Sequence, residues 1–395
     1  MADIAGWCVA LLVVGAAGLL PSALLFDRLE SRGILYARPL AMALTALATY
    51  VVVAVTPVPY GTPAVGASIV ALLAWGGSIA WRRPDLLRDL LARWRGLLAG
   101  EAAFFAVFAV VLFARAQAPD AWATEKPADL MFLTAVHHAS EFPPADPWLS
   151  GERLSYYVLG QVQVDHVARI AGVAPGAAFN LATATATAAA ALAAMGVAAD
   201  LVRLGGRRRP SSALVAAGVA GAGLLLAAPL AGVVQVLAAN GLGGAGVWGA
   251  LGIEGVPVAA GATGGVPDGF WWWWPTSRVI PGGLNEYPAF TVLLGDPHAH
   301  LLALPLALVA LALAAQVFEG VTPLTWRRWL RGPDTLLLTA GVFAALVMTS
   351  AWDVITFGAI WAGAAWWAVV RAGWPVHLGA FIVARWAAVP ALLAV

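Results

Sequence analysis

Charge is scarce in this chain. Acidic and basic residues together make up 11% of its 395 positions and hydrophobic residues 61%, whereas about a quarter of an ordinary soluble domain is charged. So much apolar material cannot be buried in one soluble core, and a net charge of +1 supplies no basic surface for nucleic acid. Cysteine occurs once, at Cys8, which excludes an intrachain disulfide. The first apolar stretch has no basic region ahead of it and no small-residue cleavage site, Asp3 being the sole charge before it, so a retained helix is expected and not a removed signal peptide. No internal repeat is evident, which argues against the inverted halves of many transporters. An HExxH motif, the strongest sequence sign of a zinc hydrolase, is also missing.

Apolar runs of spanning length fill most of the remainder. About 17 to 25 apolar residues cross the hydrocarbon as a helix, and such runs occur at 4–26, 40–57, 64–81, 97–114, 176–201, 212–237, 300–318, 335–350, 354–370 and 376–395. The expected fold is an all-α polytopic bundle of about ten transmembrane helices. Arginines alternate along it, at Arg28, Arg32 and Arg38, at Arg82 to Arg95, at Arg203 to Arg209, at Arg327 to Arg331 and at Arg371. That places sixteen of the 22 basic residues on one side, the cytoplasmic side by the positive-inside rule. The N-terminus and two long connections then face outward from a plasma membrane.

Five segments follow: four N-terminal membrane helices at 1–115, a first outer loop at 116–175, a helix pair at 176–237, a second outer loop at 238–299, and C-terminal helices at 300–395. The last run ends at AVPALLAV, inside apolar sequence, as a piece of a longer protein would. Counting 154–171 as a span would put Arg207 to Arg209 outside. Its Gln161, Gln163, Asp165, His166 and Arg169 suit an amphipathic helix lying along the outer leaflet. The Gly- and Ala-rich run 239–269 reads as flexible loop.

Polar chemistry concentrates in the two loops, which hold or adjoin five of the six histidines. In the first, Pro127 can open a helix that places Asp129 in its first turn, close to Glu125. Such paired carboxylates suit general-base chemistry, or simply satisfy the helix dipole. Pro143, Pro144 and Pro147 hold Asp146 in a rigid extended turn. In the second loop, Asp296, His298 and His300 are spaced by two. An extended backbone would aim all three to one side, where they could share a metal, whereas a helical one pairs only Asp296 with His300. Asp296-Pro297 can also be a helix cap. Trp271 to Trp274 read as headgroup anchors or as a stacking platform for sugar, and Arg278 suits a phosphate or a carboxylate. Asp353 is costly at membrane depth and so a site candidate, or else a cap.

These residues lie in EKPADLMFL, FPPADPWLSGERLSYYVLG, WWWWPTSRVIPGGLNEYPAF, LLGDPHAHLLALP and SAWDVITF. The five motifs, in this order over about 120–357, resemble the uncharacterised YYY-type membrane proteins of archaea and Chloroflexi, with Val158 standing where a third tyrosine would follow Tyr156 and Tyr157. That family is similar in layout to the polytopic GT-C glycosyltransferases, which take sugar from a polyprenyl phosphate and carry an acidic residue in the first outer loop. The resemblance implies Asp129 as base, assisted by Glu125. Arg278 would bind phosphate, and Tyr156, Tyr157, Trp273, Trp274, Glu286 and Asp353 would line the substrate. A divalent ion on Asp296, His298, His300 and Asp146 would be magnesium or manganese, with zinc as the softer option. The partners implied are the lipid bilayer and a polyprenyl-phosphate-linked sugar donor. Two other classes stay open: a lipid or ion transporter with an acid-histidine relay, and a metal-dependent membrane hydrolase built on DPHAH.

Overall fold

The computed structural model describes residues 2–206, 209–227, 230–251, 286–320 and 332–371, with short stretches at 264–265, 267, 273–274, 277, 283, 376–378 and 381–383. The chain divides into two compact units, Met1–Gly221 with Asp296–Val395, and Ala222–Gly295. The first unit is built on α1 (Ala2–Leu25), α2 (Ala37–Val55), α3 (Thr62–Arg82), α4 (Pro84–Ala92), α5 (Trp94–Ala116), α6 (Lys126–His138), α7 (Leu159–Ala171) and α8 (Pro175–Leu204). After α9 (Pro210–Leu226) the chain passes through α10 (Leu230–Ala239), α11 (Ala245–Leu251) and α12 (Pro288–Leu294) of the second unit. It returns as α13 (Ala299–Glu319), α14 (Pro333–Thr349) and α15 (Asp353–Arg371).

The all-α polytopic fold is the one expected from the hydropathy. Among the described residues seven helices are long and apolar enough to cross a membrane (α1, α2, α3, α5, α8, α13 and α15), and α9 and α14 are shorter apolar helices. Two expectations are corrected. The run 212–237 is divided, α9 ending at Leu226 and α10 starting at Leu230, directly after Pro229, which can neither donate to the preceding turn nor avoid clashing with it. In the tenth expected span, Val376–Leu378 and Phe381–Val383 form a two-stranded antiparallel hairpin. The second strand, Phe381, Ile382 and Val383, consists of aromatic and β-branched residues, which favour strands. The remaining residues of that expected span, with Arg207, Arg208, Arg327, Arg328, Arg331 and residues 252–263 of the 239–269 run, lie outside the described residues; within that run, expected as flexible loop, Ala245–Leu251 is helical.

Helix starts follow local chemistry. Proline occupies the first turn of α3, α4, α6, α8, α12 and α14, where its missing N–H costs nothing. The most enclosed span is α8, 89% buried over its apolar window, against 22% for α5 and 6% for α15. Its Ala and Thr side chains let neighbours approach closely, and Thr185, Thr187 and Thr183 return their hydroxyls to carbonyls one turn back. Glycine is required where α1 crosses α2, because a Cβ on Gly18 would sit 2.0 Å from the Ala37 carbonyl oxygen.

Ion pairs gather the arginine-bearing connections at one end of the first unit. Arg32 and Arg93 share Asp89 at 2.7 and 3.0 Å, Arg82 meets Asp334 at 2.7 Å, and Arg203 meets Glu30 at 2.8 Å.

The short helix α7 does not span, as expected, but its surroundings correct the reading of 154–171 as a helix laid along the leaflet. Every residue from Leu159 to Ala168 is buried in the protein. Its polar side chains therefore face other helices, and each needs a protein partner.

Candidate active site

The first polar cluster forms at the opposite end of the unit, where α5 ends and α13 begins. Pro127 opens α6 behind the N-cap Glu125, and Asp129 occupies the first helical turn, as the sequence suggests. The extended backbone of His298, the N-cap of α13, brings its ring against that turn. His298 Nδ1 lies 3.0 Å from Asp129 Oδ2 and 3.5 Å from Glu125 Oε2. The two carboxylates differ sharply in setting: the Asp129 side chain is 1% exposed and that of Glu125 68%. Asp129 is thus the enclosed acid and Glu125 the rim.

Asp296 completes the group. It does not stand at the N-cap of α13, a position that His298 occupies without a side-chain capping hydrogen bond. Its carboxyl is buried and hydrogen-bonds that of Asp129; burial first, then the Asp129 charge, push it up to about 8. Asp129 Oδ1 and Asp296 Oδ1 have no hydrogen-bond partner among the described residues. The hydrogen bond to Asp129 raises His298 to about 9 against the opposing effect of burial. At neutral pH the cluster therefore holds an imidazolium beside Asp129 and a neutral acid at Asp296.

Arg115 and Lys126 are also buried here, and both lie within electrostatic range of Asp296. Arg115 Nη2 donates to the Asp120 carbonyl at 3.0 Å, Nη1 donates to that of Ala118, and Nε has no partner among the described residues. Burial, reinforced by Arg115, lowers Lys126. Neither is singled out by the sequence motifs, although an arginine closing the apolar helix α5 is an available signal. Tyr156 stacks on Phe132 at 4.8 Å and on Tyr157 at 4.2 Å. Burial, then a hydrogen bond with Tyr157, raises its hydroxyl far above the phenol range.

The other expected site residues fall elsewhere. Asp146 Oδ1 accepts from the backbone of Trp148 at 2.8 Å and Leu149 at 2.9 Å, which fixes its own turn. His300 lies beside His298, ring centroids 5.3 Å apart. Among the described residues no three His, Cys, Asp or Glu converge to hold a metal, so Asp296, His298, His300 and Asp146 are not brought together as a ligand set. In the second unit, Trp273 and Trp274 pack on the buried Phe290 at 5.0 and 5.5 Å, and Glu286 lies 3.4 Å from the Thr291 hydroxyl. Arg278, Trp271 and Trp272 lie outside the described residues. Asp353 starts α15, a position the helix dipole favours.

A second cluster, which sequence reading missed, centres on Asp165 of α7, 0% exposed. Tyr60 OH and Arg169 Nε donate to its Oδ2 at 2.6 Å each, and His137 Nδ1 meets its Oδ1 at 2.6 Å. Arg169 also donates to the His137 carbonyl and lies 4.6 Å over the Tyr60 ring. This network fixes the C-terminus of α6, whose N-terminus carries Asp129. Next to it His166 is buried with both ring nitrogens unpartnered among the described residues, and burial lowers it to about 4, so it stays neutral.

No curated protein and no solved structure matches the chain significantly. A family model described as uncharacterized membrane protein (DUF2298) matches residues 44–394, a range that includes Asp129, His298 and every residue of both clusters. The chain belongs to this family of uncharacterized membrane proteins.

Proposed function

We propose that the protein is an inverting membrane glycosyltransferase, moving a sugar from a polyprenyl-phosphate carrier to an acceptor hydroxyl at the outer face of the plasma membrane. The observation that carries this reading is the Asp129–His298 contact, which joins motifs 169 residues apart in a group outside the spans, with a rim carboxylate at Glu125. Asp129 takes the acceptor proton, while Glu125, on the exposed rim, orients the hydroxyl. As the acceptor oxygen bonds to the anomeric carbon, the bond from that carbon to the phosphate oxygen breaks and polyprenyl phosphate leaves. The His298 imidazolium, with Arg115 and Lys126 in electrostatic range of Asp296, offsets the charge that develops on the departing phosphate, a preorganised electrostatic role. Tyr156 and Tyr157 offer the sugar an aromatic wall.

The test is incubation of purified protein with radiolabelled polyprenyl-phosphate sugar and candidate acceptors. A chelator arm reports on magnesium, manganese or zinc, and Asp129→Asn serves as the variant. General-base catalysis contributes about 10²–10⁴-fold, so the variant loses at least a hundredfold in transfer. Carrier left intact in every condition, or equal turnover by the variant, sinks the reading.

The buried Asp165 network favours a second reading, transport of a lipid or ion coupled to an acid-histidine relay. Liposomes that move substrate without chemical change would select it.

A further inference from the structure

Arg38 and Glu101 take no part in either cluster. Arg38 lies in the first turn of α2, at the arginine-rich end of the unit, and is 5% exposed. Its Nε donates to the Leu11 carbonyl at 3.2 Å, its Nη2 to Glu101 Oε2 at 2.5 Å, and its guanidinium carbon lies 3.7 Å from the Phe104 ring centroid. Nη1 has no hydrogen-bond partner among the described residues and is not sealed from the surface. Gly15 makes the approach possible, because a Cβ there would stand 3.3 Å from two guanidinium nitrogens. The Glu101 side chain remains 40% exposed.

The pair opens on a crevice of about 180 Å³ between α1, α2, α5 and α8, walled by Leu12, Ala16, Leu19 and Leu97. Leu12 is 45% exposed and most of α5 faces outward, so the crevice opens sideways on the surface that the spans turn to lipid. A charged floor between apolar walls fits an amphiphile. The guanidinium lacks an acceptor oxygen at Nη1, and the carboxylate can take a donor. One headgroup supplies both when its phosphate carries a substituent with N–H or O–H.

We infer that this crevice binds a phospholipid whose headgroup bears a hydrogen-bond donor, ethanolamine or glycerol, with the phosphate on Arg38 and the donor on Glu101. Phosphatidylcholine shares the phosphate but offers no donor. A charge-assisted hydrogen bond gained on that donor favours the first two lipids roughly tenfold.

The experiment does not depend on any transfer activity. Delipidated full-length protein is returned to an equal mixture of phosphatidylethanolamine, phosphatidylglycerol and phosphatidylcholine, washed, and its retained lipid identified by mass spectrometry. The wild type should retain the first two roughly tenfold over phosphatidylcholine. Ala16→Trp, which fills the crevice from an exposed wall position, should reduce them to the phosphatidylcholine level with Tm unchanged. Glu101→Gln should keep lipid bound and lose most of the ethanolamine preference. Equal retention of all three lipids by the wild type overturns the inference. Undiminished retention by Ala16→Trp also overturns it, assigning the lipid to the general annulus.

Discussion

Replacing Asp296 by asparagine exchanges a titrating group for a neutral one of the same shape and tests the electrostatics of the acid-histidine cluster. The folded chain keeps the Asp296 proton from the ordinary carboxyl value of 3.8 up to about 8, an interval over which the unfolded chain has released it. Stability therefore falls as pH rises through that interval. His298 acts in the same direction higher up: its stabilisation is complete below 6.5 and is lost as pH rises through about 9. His166 opposes at the acid end, since only the unfolded chain protonates it between 6.5 and about 4. At about 1.4 kcal/mol per pH unit, Asp296 alone removes roughly 2–3 kcal/mol between pH 6 and 8, enough to lower Tm by a few degrees. Thermal unfolding in detergent, followed by intrinsic fluorescence across this range, gives the comparison. Asp296→Asn should flatten the decline and be the more stable protein at pH 8. A variant that keeps the wild-type slope, or is less stable than wild type at pH 8, refutes the assignment of a retained proton to Asp296.

Other perturbations reach other parts of the account. Asp165→Asn leaves the Arg169 charge half-satisfied in a buried network and should cost about 3 kcal/mol, read as a Tm loss; an unchanged Tm would mean that the network does not hold α6 to α7. Gly18→Ala sets a methyl against the Ala37 carbonyl and should cost about 1–3 kcal/mol by overpacking. The same substitution at Gly77, where a Cβ meets nothing within 4 Å, should leave Tm within a degree or two, and equal losses at both sites would contradict the close crossing of α1 and α2.

The spans were legible in the sequence because a length of apolar residues suffices to define them: α1, α3, α5 and α13 lie close to where hydropathy puts them. The start of α6 was legible too, since Pro127 and Asp129 are local signals. The role of α7 was not. Its Gln161, Asp165 and Arg169 look like a wetted helix face when the partners are unknown, and Tyr60 stands 105 residues from Asp165. The same distance problem hid the use of His298. Spacing by two with Asp296 and His300 suggested a shared metal, whereas its Nδ1 turns to an aspartate 169 residues away. Hydropathy also could not separate the Val376–Val383 hairpin from a helix, because β-branched apolar residues serve both.

The central claim, that Asp129 and His298 act as one unit in sugar transfer, is tested most directly by a double-mutant cycle on kcat/KM with Asp129→Asn, His298→Gln and the double variant, using labelled polyprenyl-phosphate sugar. Residues that work as a unit are strongly non-additive. The double variant should therefore be no slower than the worse single one, within about threefold. Losses that multiply would show two independent residues and contradict the account.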